Sequence, residues 1–291
     1  MKLFTTCLFY LFILLFSLMP FPILYLFSNF ASWVMMHFIK YRKAVIIDNL
    51  KNAFPDKSDK ELNTLVKKTY LNLIDNLIES LKSFTMRKAT IIRRHKILNP
   101  ELLAPLLQEH KSVIGVTAHY GNWEWGSLSA SLQTPFKMAA FYKPIRNKYL
   151  NKILRNSRSR CGTELVSIYE TSKIFKKYHD EPHVFLMAAD QSPSSRQLKN
   201  AYWFNFMGRN TAFLHGAEKH ARNNNYAVVY IDIQRVKRGF YEVELSLLTD
   251  DPSSLQDGEI TKMYAQKLES VIKKQPENWL WSHNRWKHTA K

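Results

Sequence analysis

Between Leu3 and Ile39 the chain carries no Asp, Glu, Lys or Arg, and no other feature constrains its fold as strongly. A spanning helix needs about 20 apolar residues, so the run is longer than one span requires. "MPFP" interrupts it, and Pro20 and Pro22 break a continuous helix. Lys2 precedes the run, and "KYRK" (Lys40, Arg42, Lys43) follows it. A secretory leader has a shorter apolar core and a small-residue cleavage site; the one candidate site here, near "NFAS", is poor. Residues 1–43 therefore read as an uncleaved membrane anchor with a basic flank. Positive charge on both sides leaves two arrangements open: a re-entrant pair of short helices, or one span plus an interfacial helix.

The chain has 291 residues and a formal net charge of +18, which calls for an anionic partner. With 46% hydrophobic residues it can bury a core, so global disorder is excluded. The anchor favours a lipid surface over nucleic acid, because DNA binding has no use for it and no DNA- or RNA-reading signature is present. Two cysteines, Cys7 and Cys161, form neither a disulfide framework nor a metal cluster.

Residues 44–110 read as a mainly helical segment packed on the catalytic domain. Pro55 breaks it, and Ser58 with Glu61 three residues on forms a capping-box pattern. Leu62, Leu65, Val66, Tyr70, Leu73, Leu77 and Leu81 then repeat at helical spacing and read as core. From residue 111 to 291 the pattern alternates. Strands are expected at 112–118, 137–143 and 183–190, with an antiparallel pair, 226–236 and 241–248, around Arg238-Gly239. Helices are expected at 123–133, 147–160, 170–178, 212–223 and 256–274. The result is an α/β domain with a mixed sheet flanked by helices, followed by a C-terminal tail.

"AHYGNWEW" (118–125) carries the leading chemical signal. His119 follows a buried strand, and sites collect beyond the carboxyl ends of such strands. Gly121 and Asn122 suit a tight turn into a helix. On a continuous helix His119 and Glu124 would point about 140° apart. They meet only if the turn re-aims His119. A carboxylate on one imidazole nitrogen would fix the tautomer and leave the other nitrogen as a general base. The plainer alternative is a turn-capping histidine and a glutamate at a helix N-terminus. No other His or Cys stands at zinc-ligand spacing.

"TAHYGNWEW" resembles the His-x₄-Asp/Glu motif of the glycerolipid acyltransferases. Its Glu form is similar to that of the bacterial secondary (late) lipid A acyltransferases. Five further segments resemble that family in the same order: "YRKAVIIDNLKNAFPDKS" (41–58), "FYKPIRNKYLNKILRNSRSRCGTELV" (141–166), "AADQSP" (188–193), "FNFMGRNTA" (204–212) and "PENWLWSHNRWK" (276–287). The chain departs from the family at Lys143, where many relatives carry arginine, and at "NFMG", which replaces Phe-Phe-Gly. Lys and Arg do not read phosphate alike.

The resemblance implies a glycerolipid-acyltransferase-like fold and a His119/Glu124 general-base dyad. It implies direct acyl transfer from acyl carrier protein to a hydroxyl of a lipid A precursor, with no cofactor, no metal and no nucleic acid. It also implies a place at the bacterial inner membrane, among membrane lipids, with the catalytic domain on the cytoplasmic face. Arg158 and Arg160 are then the leading candidates for the oxyanion or an acceptor phosphate; a solvated basic helix face is their plainer reading. Asp190, ending a strand, is a candidate to hold an arginine or an acceptor hydroxyl, or simply to cap a helix. Lys143 and Arg209 are weaker substrate candidates. The tail, with Arg285, reads as structural packing or as a membrane-interface element. Cys161 lacks a histidine partner and is not expected to act as a nucleophile. Two other acceptors, a lyso-phospholipid and an aminolipid, fit the same motif. A non-catalytic binder of anionic lipid is the reading from another class, and it would show salt sensitivity without turnover.

Overall fold

The computed structural model describes residues 2–288; residues 289–291 and the side chains of residues 1–7, Lys2 and Cys7 among them, lie outside the described part. The charge-free run folds as two helices, α1 (Lys2–Leu18) and α2 (Phe21–Val34), and the latter passes into a π-helical turn at Met35–Ile39. The break falls at "MPFP". Pro20 is the N-cap residue of α2, and the proline in its first turn sits where a missing N–H costs nothing. The stretch Phe21–Ile39 is long and apolar enough to cross a membrane. Its outward side exposes Leu26, Phe30, Trp33 and Phe38, whereas Leu24, Ser28 and Ser32 are buried against the rest of the protein.

Next come α3 (Lys43–Ala53) and the long α4 (Asp59–Lys82). The capping box forms as the sequence indicates, with Ser58 and Glu61 exchanging hydrogen bonds. The first half of α4 buries Leu62, Leu65, Val66 and Tyr70. In its second half Leu77 is 55% exposed, and the buried face also carries polar residues: Asn72, Asp75, Asn76 and Glu79. Periodicity located the helix but missed this change, because these polar groups are matched by partners distant in sequence.

Two helices, α5 (Lys88–Arg94) and α6 (Ala104–Gln108), flank a short strand, β1 (His95–Ile97), which lies inside the stretch read as helical. The α/β part then runs β2 (Val113–Thr117), α7 (Trp123–Gln133), β3 (Lys137–Tyr142), α8 (Lys148–Ser159), β4 (Glu164–Ser167), α9 (Thr171–Lys177) and β5 (His183–Ala188). A hairpin, β6 (Ala201–Phe206) and β7 (Arg209–Leu214), precedes α10 (Gly216–Asn224), β8 (Ala227–Lys237), β9 (Phe240–Thr249) and α11 (Glu259–Lys274).

The main sheet is mixed and has the order β1-β9-β8-β2-β5-β3-β4. Only the β8–β9 pair is antiparallel. Two hydrophobic clusters cover its faces: α5, α6 and α7 contribute to one, α9, α10, α11 and the tail to the other. The five expected strands are all present. The sequence reading missed β1, β4 and the β6–β7 hairpin. That hairpin turns at Met207 and Gly208, both at positive φ, as a tight turn of this kind requires. Its second strand displaces the start of the helix expected at 212 to Gly216.

Buried polar bonds join α2 to the α/β part through α4. The Asp75 carboxylate accepts from Ser28 Oγ (2.5 Å), Arg235 (2.6 Å) and Arg238 (2.7 Å). Glu79, one turn on, accepts from Tyr25 OH (2.9 Å), Asn122 Nδ2 (2.6 Å) and Tyr241 OH (2.8 Å). Removing one partner of a buried pair leaves an uncompensated charge. Asp75→Ala is therefore expected to destabilise the protein by about 3–5 kcal/mol. Thermal unfolding in detergent checks this, and an unchanged Tm would refute it.

Candidate active site

Parallel pairing of β2 with β5 sets Thr117 opposite Ala188, so His119 and Asp190, each two residues further on, emerge side by side. One carboxylate then holds the histidine at two points. Asp190 Oδ2 accepts the His119 backbone N–H (2.9 Å), and Oδ1 lies 2.7 Å from the ring Nδ1. Trp279 Nε1 donates to the same carboxylate (2.9 Å). Burial acts against charge on Asp190, but the His119 charge and these hydrogen bonds hold its carboxyl low, at about 2. Burial likewise opposes a charged imidazole; the Asp190 charge, its hydrogen bond and the Glu124 charge outweigh that and raise the His119 pKa. With Nδ1–H directed at Asp190, Nε2 is the proton acceptor, and it lies 3.3 Å from the Gln191 side-chain amide.

The turn after His119 is held from behind. Gly121 has φ +57, and a Cβ there would stand 2.5 Å from the Ile233 carbonyl oxygen, so glycine is required. Asn122 Oδ1 caps α7 by accepting the Trp125 N–H (3.0 Å), while its Nδ2 is anchored on Glu79. Asn76 donates to the Gly121 carbonyl (2.8 Å). The tail completes the frame: Leu280 N–H donates to the His119 carbonyl (3.0 Å), and Gly121 N–H to that of Asn278 (3.1 Å).

Glu124 is not the carboxylate on His119. Both its oxygens are taken by Arg158, through Nε and Nη2 at 2.7 Å each. The turn sets the His119 ring edge-on against Trp123, the first residue of α7 (centroids 5.2 Å apart), but its Nδ1 is taken by Asp190. Glu124 acts on the imidazole through its charge. Arg158 is thus paired, with Nη1 outside the fork. Arg160 points away and donates to the Ser83 and Met86 carbonyls (2.7 and 2.6 Å), closing the end of α4. Asp190 holds a histidine, not an arginine. Arg209 lies over the Trp286 ring and 3.8 Å from Asp48, away from the cavity. Arg285 is buried against Phe213 and donates to the Ala212 carbonyl (2.7 Å); burial lowers its pKa to about 10. The Cys161 thiol is buried, and burial pushes its pKa up.

A cavity of about 600 Å³ meets this cluster. His119, Trp123, Glu124, Lys143, Arg158 and Gln191 form its polar part. From there it runs between the sheet and α7, past Val113, Gly115, Leu186 and Ile231, toward Ile97, Leu103 and Leu245. The long apolar wall suits a hydrocarbon chain. Gln191, Trp123 and Trp279 were not read from the sequence as site residues. The position of Gln191, directly after Asp190 at a strand end, was a usable signal; the contact from Trp279 was not legible, because it depends on how the tail packs.

The pKa shift has a definite sign. His119 should titrate above about 6.5, and Asp190→Asn, which removes the neighbouring anion, should lower that midpoint. Histidine NMR titration checks this. A midpoint unmoved by the substitution would show that Asp190 does not control the ring.

The family model described as bacterial lipid A biosynthesis acyltransferase matches residues 1–288. The chain is similar to the lipid A biosynthesis lauroyltransferase of Escherichia coli (strain K12), at 21% identity over 92% of this chain and 87% of that protein. It is similar to the palmitoleoyltransferase of the same organism and to the lipid A biosynthesis acyltransferase of Shigella flexneri, each at 21% identity over 92% of this chain and 86% of theirs. With a histidine held by a buried carboxylate at the head of an apolar cavity, and a family match over nearly its whole length, the chain belongs to the bacterial lipid A biosynthesis acyltransferase family.

Proposed function

We propose that the protein is a membrane-bound O-acyltransferase that moves a fatty acyl chain from acyl carrier protein to a hydroxyl of a lipid A precursor. The observation that carries this reading is His119. Its Nδ1 is committed to Asp190, and its Nε2 faces a cavity with a polar head and an apolar length.

The acceptor hydroxyl gives its proton to His119 Nε2 as its oxygen attacks the thioester carbonyl. The imidazolium formed is stabilised by Asp190 and by the charge of Glu124. Arg158, through the Nη1 group outside its fork with Glu124, and the Gln191 amide are the donors for the oxyanion. Collapse expels the thiolate, which recovers the proton from His119; ester and free carrier thiol are the products. Glu124 holds Arg158 in place, so the Glu of the His-x₄-Glu motif serves both the base and the oxyanion donor. Lys143 serves an acceptor phosphate. The acidic carrier protein is drawn by the net charge of +18. The exposed apolar sides of α1 and α2 anchor the enzyme in the bacterial inner membrane, with the catalytic domain on the cytoplasmic face.

The test is transfer from radiolabelled acyl carrier protein to a tetra-acylated lipid A precursor. Wild type is expected to transfer. His119→Ala should lose on the order of 10²–10⁴-fold in kcat, and Glu124→Ala a comparable amount while binding of donor persists. Near-wild-type turnover by folded His119→Ala would sink the general-base assignment. No transfer by folded wild type would direct the search to lyso-phospholipid and aminolipid acceptors.

Chain length follows from the same cavity. Gly126 of α7 lines it, and a Cβ there meets nothing within 4 Å. Gly126→Leu should therefore shift the preferred donor to shorter acyl chains. An unaltered profile across a series of acyl carrier protein thioesters would show that the chain does not lie there.

A further inference from the structure

Side-chain alternation along the strands shows that the cavity has two arms. On β5, Val184, Leu186 and Ala188 face the side of the sheet covered by α7, and Met187, with Ala189 just past the strand end, faces the other; all of them line the cavity. On β3, Met138 and Ala140 face the α7 side and Phe141 the other, and these too line it. The cavity therefore passes over the carboxyl ends of β3 and β5, next to Gln191, and continues on the opposite face. Its walls there are Phe141, Met187, Ala189, Leu214, Ala217 and His220. The His220 ring stacks on buried Phe175, with centroids 4.2 Å apart.

Each arm is lined by one glycine at a helix. Gly126 lines the arm beneath α7, and Gly216, which begins α10, lines the second. Neither has positive φ, and a Cβ on either would meet nothing within 4 Å. Glycine weakens a helix relative to alanine, and neither position needs it for backbone geometry or close packing. What both residues supply is free volume in the cavity.

The lip of the second arm is amphipathic. Ile168 lines the cavity and is 44% exposed, its neighbour Tyr169 is 74% exposed, and Lys143 contributes a cation that pairs with no carboxylate among the described residues. We propose that the second arm holds a hydrocarbon chain of the acceptor lipid, with that lipid's anionic headgroup at Lys143, while the arm beneath α7 takes the donor's acyl chain. This rests on the acyl-transfer reading above. Both reacting groups must come within about 3–3.5 Å of one another at His119, so two chains have to diverge from that point, and the cavity diverges there. The amide-bearing arm of a carrier-protein thioester is a poor occupant. Apart from Lys143 and Gln191 at its mouth and His220 and Thr171 within, the side chains around the second arm offer such amides no partner, and buried amides without partners are costly.

Two measurements test this. With purified protein, Gly216→Leu should raise KM for the lipid acceptor at least 10-fold and leave donor KM and donor chain-length preference unchanged, whereas Gly126→Leu should do the reverse. A Gly216→Leu protein that loses donor affinity instead, or loses nothing, overturns the assignment. The second measurement does not depend on turnover. Ala217→Cys, in a Cys7→Ser background with Cys161 buried, is modified by a maleimide. Hexadecyl phosphate and the lipid A precursor should slow modification at least 10-fold, and acyl carrier protein thioester should not. Protection by the thioester alone, or by none of them, overturns the proposal. Protection of Ala217→Cys by hexadecyl phosphate, together with a wild type that transfers to no lipid, would retire the acyl-transfer reading and keep the arm as a lipid site.

Discussion

The carboxylate of Asp190 fixes the geometry on which the rest of the site depends. It binds the backbone and the ring of His119 and is itself held by Trp279. Three segments far apart in the chain, the end of β2, the end of β5 and the C-terminal tail, therefore converge on one buried anion. The arrangement sets both the tautomer and the direction of the imidazole, and it makes the tail part of the frame around His119. A loosened tail would free Asp190 and the His119 turn together, since Leu280 and Asn278 also bond that turn.

The second constraint is carried by α4. Its inner face bears Asp75 and Glu79, which reach α2 on one side and the Asn122 turn and Tyr241 on the other. Such a face has no place in water-excluded packing unless every group is matched, and here the partners are two tyrosines, a serine, an asparagine and two arginines. Helix α2 is thus built into the folded body of the protein. Burial, with the nearby Asp75 charge, pushes the Glu79 carboxyl above the usual range, and Arg235 and the bonds from Tyr241 and Asn122 counter it.

The division of labour between the carboxylates follows from the same geometry. Asp190 orients His119, whereas Glu124 pairs with Arg158 and supplies charge at a distance. Placing the guanidinium by a bidentate bond leaves it aimed at the cavity without spending all of its donors. The apolar arms then begin where this polar head ends.

Much of this was legible in the sequence. The charge-free run and its prolines placed α1, α2 and the break between them. Alternating apolar runs gave β2, β3, β5 and the β8–β9 pair, and the Gly-Asn turn placed His119 between the end of β2 and the start of α7. These are local signals, set by spacing and by backbone chemistry. The short β1 and β4, and the hairpin at Met207-Gly208, carried too little local pattern to be read. Only the tertiary structure decided which carboxylate holds His119. Asp190 lies 71 residues away and arrives through the register of two parallel strands, and no spacing in the chain encodes that register. It also decided that Arg160 closes a helix end, that Glu124 takes Arg158, and that half of α4's buried face is polar, because each depends on a partner brought up by packing rather than by sequence.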